Sequence, residues 1–307
     1  MTNKIDNAFK TAPTHQELRA MDRDLRFYPS TVADPAALSA EQIAAYNRDG
    51  YIKGLRVFDE AEIAKHRAFF DAQLQKALAA GQGSFTLSSA HLKFPKVFDL
   101  MHHPRILAYV HDLLGPELIG LASHYFCKLP KDGTTISWHQ DASYWPLSPS
   151  KTATVWLAID DADVANGCMR FVAGSHRHGQ LEFRASAAAE NNILNQTVDD
   201  VERYGAIVDD ELKAGEISIH SDLLLHSSHY NESDRRRCGL TIRYIPTTTR
   251  IVTDKQWPSA FLLRGKPIGG VNDYLSWPRW QEGKHMSFRG CRTWPQAESD
   301  SSVATRH

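Results

Sequence analysis

Residues 138–145, WHQDASYW, and residues 152–179, TATVWLAIDDADVANGCMRFVAGSHRHG, are the stretches that decide the fold. Short β-prone runs alternate here with turn residues, which is typical of a β-sandwich or barrel. His139 and Asp141 lie two positions apart, so on a β-strand both side chains would point to the same face. The pair therefore predicts two ligands for one metal ion.

Further β-prone runs lie on both sides of this stretch, and predicted helices precede it. Further strands are predicted at 51–58, 118–129, 216–221, 223–227 and 239–245. Helices are predicted at 39–48, 59–78 and 104–114, the first opened by a capping box of Ser39 and Gln42 and ended by Asp49-Gly50. Helices packed on a β-rich core are compatible with one domain of this length.

Three further segments complete the expected organisation. Residues 1–38 are polar and contain several prolines, so we expect an extended N-terminal arm. Residues 39–290 would form a single domain, and residues 291–307 a flexible tail. Residues 183–210 are polar and poorly periodic, which indicates an insertion or lid in the barrel; the sequence leaves its ordering open.

A third metal ligand is available from a distant strand. His226 ends the apolar run Leu223-Leu224-Leu225, and it would complete a set of two imidazoles and one carboxylate with His139 and Asp141. Such a set leaves open positions on the metal, as non-haem iron oxygenases require. The neighbouring His220 would make only an outer contact, and His229 falls in a turn.

An arginine that follows His226 could grip a carboxylate in a bidentate, charge-assisted way. By strand parity Arg235 and Arg237 face one way and Arg236 the other, and the same parity decides whether Arg243 faces inward. A one-residue bulge would exchange these roles. The residues alone therefore leave the choice among Arg235, Arg237 and Arg243 open.

From about residue 40 to 250 the chain resembles the phytanoyl-CoA dioxygenase family. The family motif is a His-x-Asp pair, a distal histidine and an arginine eleven positions later, and these fall on His139, Asp141, His226 and Arg237. The resemblance implies a mainly β fold with flanking helices, the cupin-like double-stranded β-helix or jelly roll. It also implies iron(II), 2-oxoglutarate as co-substrate, and O₂.

The resemblance suggests further contacts and a reaction. Lys128, Gln140 and Trp156 match family positions near the co-substrate, although a solvated lysine and a core tryptophan are equally good interpretations of two of them. Independently of the resemblance, the aromatic residues directly after the ligand pair, Tyr144 and Trp145, are the first candidates for the substrate wall, with Phe126, Trp277 and Trp280 behind them. Because halogenating relatives replace the carboxylate found here at Asp141, its presence favours hydroxylation of a small-molecule metabolite.

Composition limits the partners. Lys plus Arg number 35 and Asp plus Glu 36, so no net charge favours nucleic acid or an anionic membrane. The four cysteines are far apart and form no disulfide framework or thiolate zinc motif, and no apolar run suits a membrane span, which together favour a cytoplasmic protein. The oligomeric state is left open.

Several alternatives remain at this point. The same iron centre could give desaturation, epoxidation or ring formation in place of hydroxylation. A catalytically silent jelly-roll module could bind a ligand and keep the metal for stability. A zinc-dependent cupin isomerase or hydrolase would need neither O₂ nor 2-oxoglutarate. The substrate itself cannot be read from the sequence.

Overall fold

The computed structural model describes residues 14–253, 260–275 and 277, together with the pairs 286–287 and 304–305. Its α-helices are α1 (His15–Ala20), α2 (Ala40–Asp49), α3 (Glu60–Ala79), α4 (Pro95–Met101) and α5 (Pro104–Leu114). Short 3-10 helices lie at Ala90–Leu92, Asp141–Ser143, Val164–Asn166, Ser175–His178, Ala188–Glu190 and Val201–Tyr204.

The strands of the described residues follow in chain order. They are β1 (Tyr51–Arg56), β2 (Leu118–Lys128), β3 (Ile136–His139), β4 (Leu147–Ser148), β5 (Ala153–Ala158), β6 (Met169–Val172), β7 (Arg184–Ala185), β8 (Gln196–Thr197), β9 (Ile207–Asp210), β10 (Glu216–Ser221), β11 (His226–Ser228), β12 (Arg237–Pro246), β13 (Arg250–Ile251), β14 (Phe261–Arg264), β15 (Met286–Ser287) and β16 (Ala304–Thr305).

Two antiparallel sheets form the body of the protein. The larger has six strands in the order β1-β10-β5-β12-β2-β14, and the smaller has four in the order β3-β11-β6-β9. Trp156 on β5 and Phe171 on β6 belong to one buried apolar cluster, so the inner faces of the two sheets pack on each other. This double-stranded β-helix, or jelly roll, confirms the predicted fold class.

The helices α2 to α5 cover the outer face of the larger sheet. Cys238, Leu240 and Ile242 on β12 join one large apolar core with residues of α2 to α5. α2 begins at the capping box predicted from Ser39 and Gln42 and ends at Gly50, whose φ of 87° is left-handed. Local sequence signals therefore fixed the ends of this helix correctly.

Some segments differ from their predictions. The short helix α4 was missed, because its seven residues are too few to show a helical period. The strand expected at 223–227 begins only at His226, after a turn. Within 183–210, residues Ile207–Asp210 form β9, which pairs with β6 in the smaller sheet and so belongs to the barrel.

The N-terminal arm is partly helical, through α1, and not extended throughout. Three backbone N–H groups of residues 36–38 donate to the Asp112 carboxylate, which fastens the arm to α5. Apart from 304–305, the predicted tail lies outside the described residues. In the parts of the chain that are described, we find no helix long and apolar enough to cross a membrane.

Candidate metal centre

The first two candidate ligands lie at the end of one strand. His139 is the last residue of β3, and Asp141 opens a 3-10 turn. The expectation that both lie on one strand was therefore wrong. The backbone N–H of Ala142 donates to the carbonyl of Asp222 (3.0 Å), and this bond holds the turn that directs the Asp141 carboxylate back toward His139.

The third candidate ligand comes from the adjacent strand. His226 is the first residue of β11 and lies opposite His139 in the antiparallel pairing. Nε2 of His139 and Nε2 of His226 each lie 3.8 Å from Asp141 Oδ1. The three candidate ligand atoms all lie within 4.8 Å of one another, a spacing that can surround a single ion.

Backbone carbonyls set the orientation of both imidazoles. Nδ1 of His139 lies 2.8 Å from the carbonyl oxygen of Ser137, and Nδ1 of His226 lies 3.0 Å from that of Leu224. A carbonyl only accepts, so each Nδ1 carries the proton and each Nε2 presents its lone pair. Metal-binding histidines are commonly fixed in this way.

The charge states also suit a metal. Burial lowers the pKa of His139 and lowers that of His226 well below its usual range. Burial would raise the pKa of Asp141, but the charge of Arg243 and the contact with His220 hold it well below its ordinary value. At neutral pH the three groups are therefore two neutral imidazoles and one carboxylate.

The second carboxylate oxygen of Asp141, Oδ2, has three polar side chains near it. The Thr154 hydroxyl donates to Oδ2 at 3.1 Å, while His220 Nε2 lies 3.8 Å and Arg243 Nη2 3.9 Å away. The predicted outer contact of His220 is thus found. Thr154 was missed, because a threonine in a β-prone run carries no signal of its own; its pairing with Arg243 on one side and His220 on the other brings it here.

The arginines after His226 do not follow the expected parity, which placed Arg235 on the side of Arg237, because β12 begins only at Arg237 and the two arginines before it lie outside the strand. Arg235 lies before β12 and pairs with Asp163 at the surface, and Arg236 pairs with Asp160 and Asp71. Arg237 points inward and is 1% exposed. The bulge beside β12 lies in β2, between the partners of Arg243 and Tyr244, and leaves the phase of Arg237 unchanged.

Arg237 is a buried cation whose hydrogen-bond partners are uncharged. Its Nε and Nη2 donate to the carbonyl of Gly167 at 3.0 and 2.7 Å, and Nη2 also donates to the Ser228 hydroxyl at 3.2 Å. Its guanidinium carbon lies 5.7 Å from the centre of the Trp156 ring. A buried cation with these partners is suited to receive an anion.

The two other predicted co-substrate residues are held by the backbone. Lys128 Nζ donates to the carbonyls of Thr134, Ser228 and His229, and burial with the nearby charge of Arg237 lowers the pKa of Lys128 to about 6. The Gln140 amide donates to the carbonyls at 179 and 223 and accepts the N–H at 181. Gln140 thereby fixes two loops beside the ligands.

The candidate substrate residues lie together. Tyr144 and Trp145 belong to one apolar cluster, and half-buried Phe126 packs against it. The Tyr144 ring centre is 6.1 Å from that of His139, so the cluster adjoins the candidate metal ligands. Trp277 instead packs against His102 and Phe98 on the helical side, and Trp280 lies outside the described residues.

The N-terminal arm reaches this site, a connection that no sequence signal indicated. Arg23 Nη1 donates to the carbonyls of Ala142 and Trp145 at 2.9 and 2.8 Å. The His15 ring lies 5.2 Å from the ring of Tyr144. The arm thus braces the turn that follows Asp141.

Comparison with known proteins gives a family match. The family described as phytanoyl-CoA dioxygenase (PhyH) matches residues 31–239, more than half of the chain. Phytanoyl-CoA dioxygenase domain-containing protein 1 of Mus musculus is 25% identical over 171 residues. That match covers 54% of this chain and 58% of the mouse protein, so the chain spans little more than half of this relative.

Solved structures share the fold and contain metal. The nickel complex of the non-haem monooxygenase ThoJ is 29% identical with a TM-score of 0.62, covering 77% of this chain and 89% of that chain. The epimerase SnoN in complex with Fe³⁺, α-ketoglutarate and nogalamycin RO is 27% identical with a TM-score of 0.59, covering 77% of this chain and 97% of that chain.

Proposed function

The chain belongs to the phytanoyl-CoA dioxygenase family of Fe(II)/2-oxoglutarate-dependent oxygenases, and from this premise we propose that it hydroxylates an unactivated carbon of a small organic metabolite. In this reaction 2-oxoglutarate is decarboxylated to succinate and CO₂. The observation that carries the proposal is the convergence of ligand atoms from His139, Asp141 and His226 within 4.8 Å.

The residues present fit ferrous iron. Both imidazoles have Nδ1 engaged by a backbone carbonyl, which leaves Nε2 for the metal. The Thr154 hydroxyl takes the outer oxygen of Asp141 and leaves Oδ1 facing the imidazoles. When bound, the iron supplies the activation of O₂, with 2-oxoglutarate as electron donor.

Arg237 is the proposed partner of the far carboxylate of 2-oxoglutarate. Its uncharged hydrogen-bond partners leave a buried positive charge, and a guanidinium matches a carboxylate in a bidentate way. Trp156 packs beside the guanidinium and would form a wall of the co-substrate site. Gly239 leaves room for the indole, since a Cβ there would lie 2.0 Å from Trp156 Cζ2.

Lys128 and Gln140 have supporting roles in this proposal. Lys128 on β2 is the pairing partner of Arg237 on β12. Its Nζ donates to the carbonyl of Ser228 on β11, so Lys128 links the larger sheet to the smaller one. Gln140 holds the loops at 179–181 and 223 around the ligand turn. Both keep the site rigid, which is what positioning a substrate carbon demands.

The substrate would lie against Phe126, Tyr144 and Trp145. These side chains form an apolar surface beside His139, and such a surface excludes water from the reacting carbon. A small molecule with an apolar body fits this wall better than a polar polymer. We also propose a cytoplasmic location, because Cys127, Cys168 and Cys238 are buried free thiols.

Conversion of 2-oxoglutarate to succinate tests this function. The Fe(II)-loaded protein is incubated with 2-oxoglutarate, O₂ and a metabolite library, and succinate is measured with and without each compound. At least one small molecule should stimulate succinate formation and gain one oxygen atom from O₂. If 2-oxoglutarate does not bind to the Fe(II)-loaded protein and no compound yields succinate, the silent binding module, which keeps the metal for stability, is the better explanation.

A second outcome at the same centre has specific support. SnoN, which shares the fold and is 27% identical in sequence over the matched region, is described as an epimerase. Desaturation, epoxidation or ring formation at this site would likewise consume 2-oxoglutarate without leaving an alcohol. Product mass separates hydroxylation and alkene epoxidation, which each add one oxygen atom, from desaturation and ring formation, which each remove two hydrogen atoms, and NMR of the product then distinguishes the two members of each pair.

A further inference from the structure

Arg243 is a second buried arginine on the inner face of β12, at the end nearer to Asp141. It is 9% exposed, and Nη1 donates to the Thr241 hydroxyl at 2.7 Å. Nε has no hydrogen-bond partner among the described residues. Nη2 lies 3.9 Å from Asp141 Oδ2, which is longer than a hydrogen bond.

The surroundings of Arg243 are those of the proposed substrate wall. Its guanidinium carbon lies 5.2 Å from the centre of the Trp145 ring. Trp145 and Tyr144 share one apolar cluster with Phe126 packed against it. Arg243 is therefore the charged group at the edge of an apolar surface.

Loading the site changes the charge balance around Arg243. In the protein alone, Asp141 is the carboxylate nearest to Arg243. Ferrous iron would take up the charge of Asp141. With iron and 2-oxoglutarate in place, the positive charges, two arginines and a divalent ion, exceed the negative charges, one carboxylate and a dianion, by one. A buried cation without a partner is costly.

The other buried carboxylates nearby do not remove this imbalance. Asp222 accepts hydrogen bonds from Ser150 and Thr152, burial raises its pKa to about 6, and among the described residues it forms no ion pair with Arg243. Asp210 accepts a hydrogen bond from Ser218, burial raises its pKa to about 7, and among the described residues it forms no ion pair with either inner arginine. Neither therefore serves as a counterion for Arg243.

We propose that Arg243 binds a carboxylate of the substrate, so that the enzyme acts on small organic acids whose apolar body lies against Phe126, Tyr144 and Trp145. The inference rests on the proposed function and names its substrate class. The free Nε and the weakly engaged Nη2 provide two adjacent donors, the geometry that a guanidinium uses for a carboxylate. Thr241 holds the head in place through Nη1.

The competing role for Arg243 is to orient Asp141 alone. In that case, replacing Arg243 would weaken metal binding but would not change the choice between an acid and its uncharged analogue. The two roles therefore differ in a binding measurement that needs no turnover.

The test uses matched pairs of acids and amides. Octanoate and octanamide, benzoate and benzamide, and phenylacetate and phenylacetamide are titrated into the anaerobic Fe(II)·2-oxoglutarate enzyme by calorimetry. In the wild type at least one acid should bind tenfold or more tightly than its amide. Arg243→Gln should abolish that preference and Arg243→Lys should retain part of it, while Arg264→Gln, an exposed arginine on β14 of the same sheet, should leave it unchanged.

Thr241→Val provides a milder variant in case Arg243→Gln does not fold. It removes only the hydroxyl that holds Nη1 and should reduce the preference for acids by about three- to tenfold. The proposal is overturned if no acid in the panel is preferred over its amide, or if the preference survives in Arg243→Gln. The visible band of the Fe(II)·2-oxoglutarate complex, recorded first, separates this failure from failure of the proposed function itself.

Discussion

The two faces of β12 are both buried, yet they differ in chemistry. The outward face carries Cys238, Leu240, Ile242 and Tyr244, which pack into the apolar core under the helices. The inward face carries Arg237, Gly239, Thr241 and Arg243, and every residue of the strand is buried. One backbone therefore separates an apolar core from a charged interior.

The difference in chemistry indicates that the outward face of β12 stabilises the fold and that the inward face binds the proposed ligands. An apolar face stabilises the fold through burial, at roughly 25 cal/mol per Å² removed from water. Buried arginines cost free energy unless an anion or a set of hydrogen bonds compensates them. Arg237 donates only to uncharged groups and Arg243 makes a single hydrogen bond, so neither has an anion bound to it, and we expect the proposed ligands to occupy the inward face. Substitutions on the two faces should then fail in different ways.

The largest effect is expected at the ligand turn. Asp141→Ala should abolish both tight Fe(II) binding and 2-oxoglutarate turnover, because it removes the only carboxylate of the candidate ligand set. Metal content after gel filtration and succinate formation measure the two losses. Asp209→Ala, a half-buried carboxylate on β9 of the smaller sheet, is the control and should retain both. Full turnover by Asp141→Ala would refute the ligand assignment.

Arg237→Gln should have the second-largest effect, and it should weaken only the binding of 2-oxoglutarate. Removing one partner of a buried charge pair costs about 2–5 kcal/mol, or roughly 30- to 5,000-fold in affinity. The Kd for 2-oxoglutarate should rise by such a factor, with Fe(II) affinity little changed. Arg235→Gln, at the surface two positions away, is the control. An unchanged Kd in Arg237→Gln would mean that another group binds the far carboxylate of 2-oxoglutarate.

On the outward face, Leu240→Ala should damage stability and leave the site intact. Leu240 is fully buried in the helical core, and such truncations cost about 2–5 kcal/mol. Urea unfolding measures that loss, and the folded variant should bind 2-oxoglutarate as the wild type does. A large change in 2-oxoglutarate affinity without a loss of stability would erase the distinction between the faces.

The smallest effect concerns the pH dependence of stability. Burial and the charge of Arg237 lower the pKa of Lys128 to about 6, whereas an unfolded lysine titrates near 10.5. Between these values the unfolded chain holds the extra proton, so Lys128 makes stability rise with pH, by at most about 1.4 kcal/mol per pH unit. Urea unfolding at pH 6.5 to 9 should show a steeper rise for the wild type than for Lys128→Met. Equal slopes would mean that Lys128 keeps its proton in the folded protein.

Local features of the fold were predictable from the sequence. The capping box at Ser39 and Gln42 and the left-handed Gly50 place both ends of α2, because helix ends depend on neighbours within one turn. The helix α4 is only seven residues long, too short for a helical period to be visible, and was missed. In the same way, the turn at Asp141 depends on a hydrogen bond to Asp222 eighty-one positions later, which no local pattern reveals.

The site was predictable in part for a similar reason. The motif spacing brought His139, Asp141 and His226 forward as candidates, and the structure places their ligand atoms together. The positions of Thr154 and Arg243 depend on the register of β5 against β12, a long-range pairing. The bulge in β2 decides which side chains of that strand face inward, and it has no sequence signal here.

The most direct test of the central claim is the anaerobic visible spectrum after addition of Fe(II) and 2-oxoglutarate. The wild type should develop a weak charge-transfer band that saturates at one iron per chain, and His226→Ala should not, because one of the two imidazoles is lost. A wild type without the band, or a His226→Ala variant with an undiminished band, would contradict a metal centre formed by His139, Asp141 and His226.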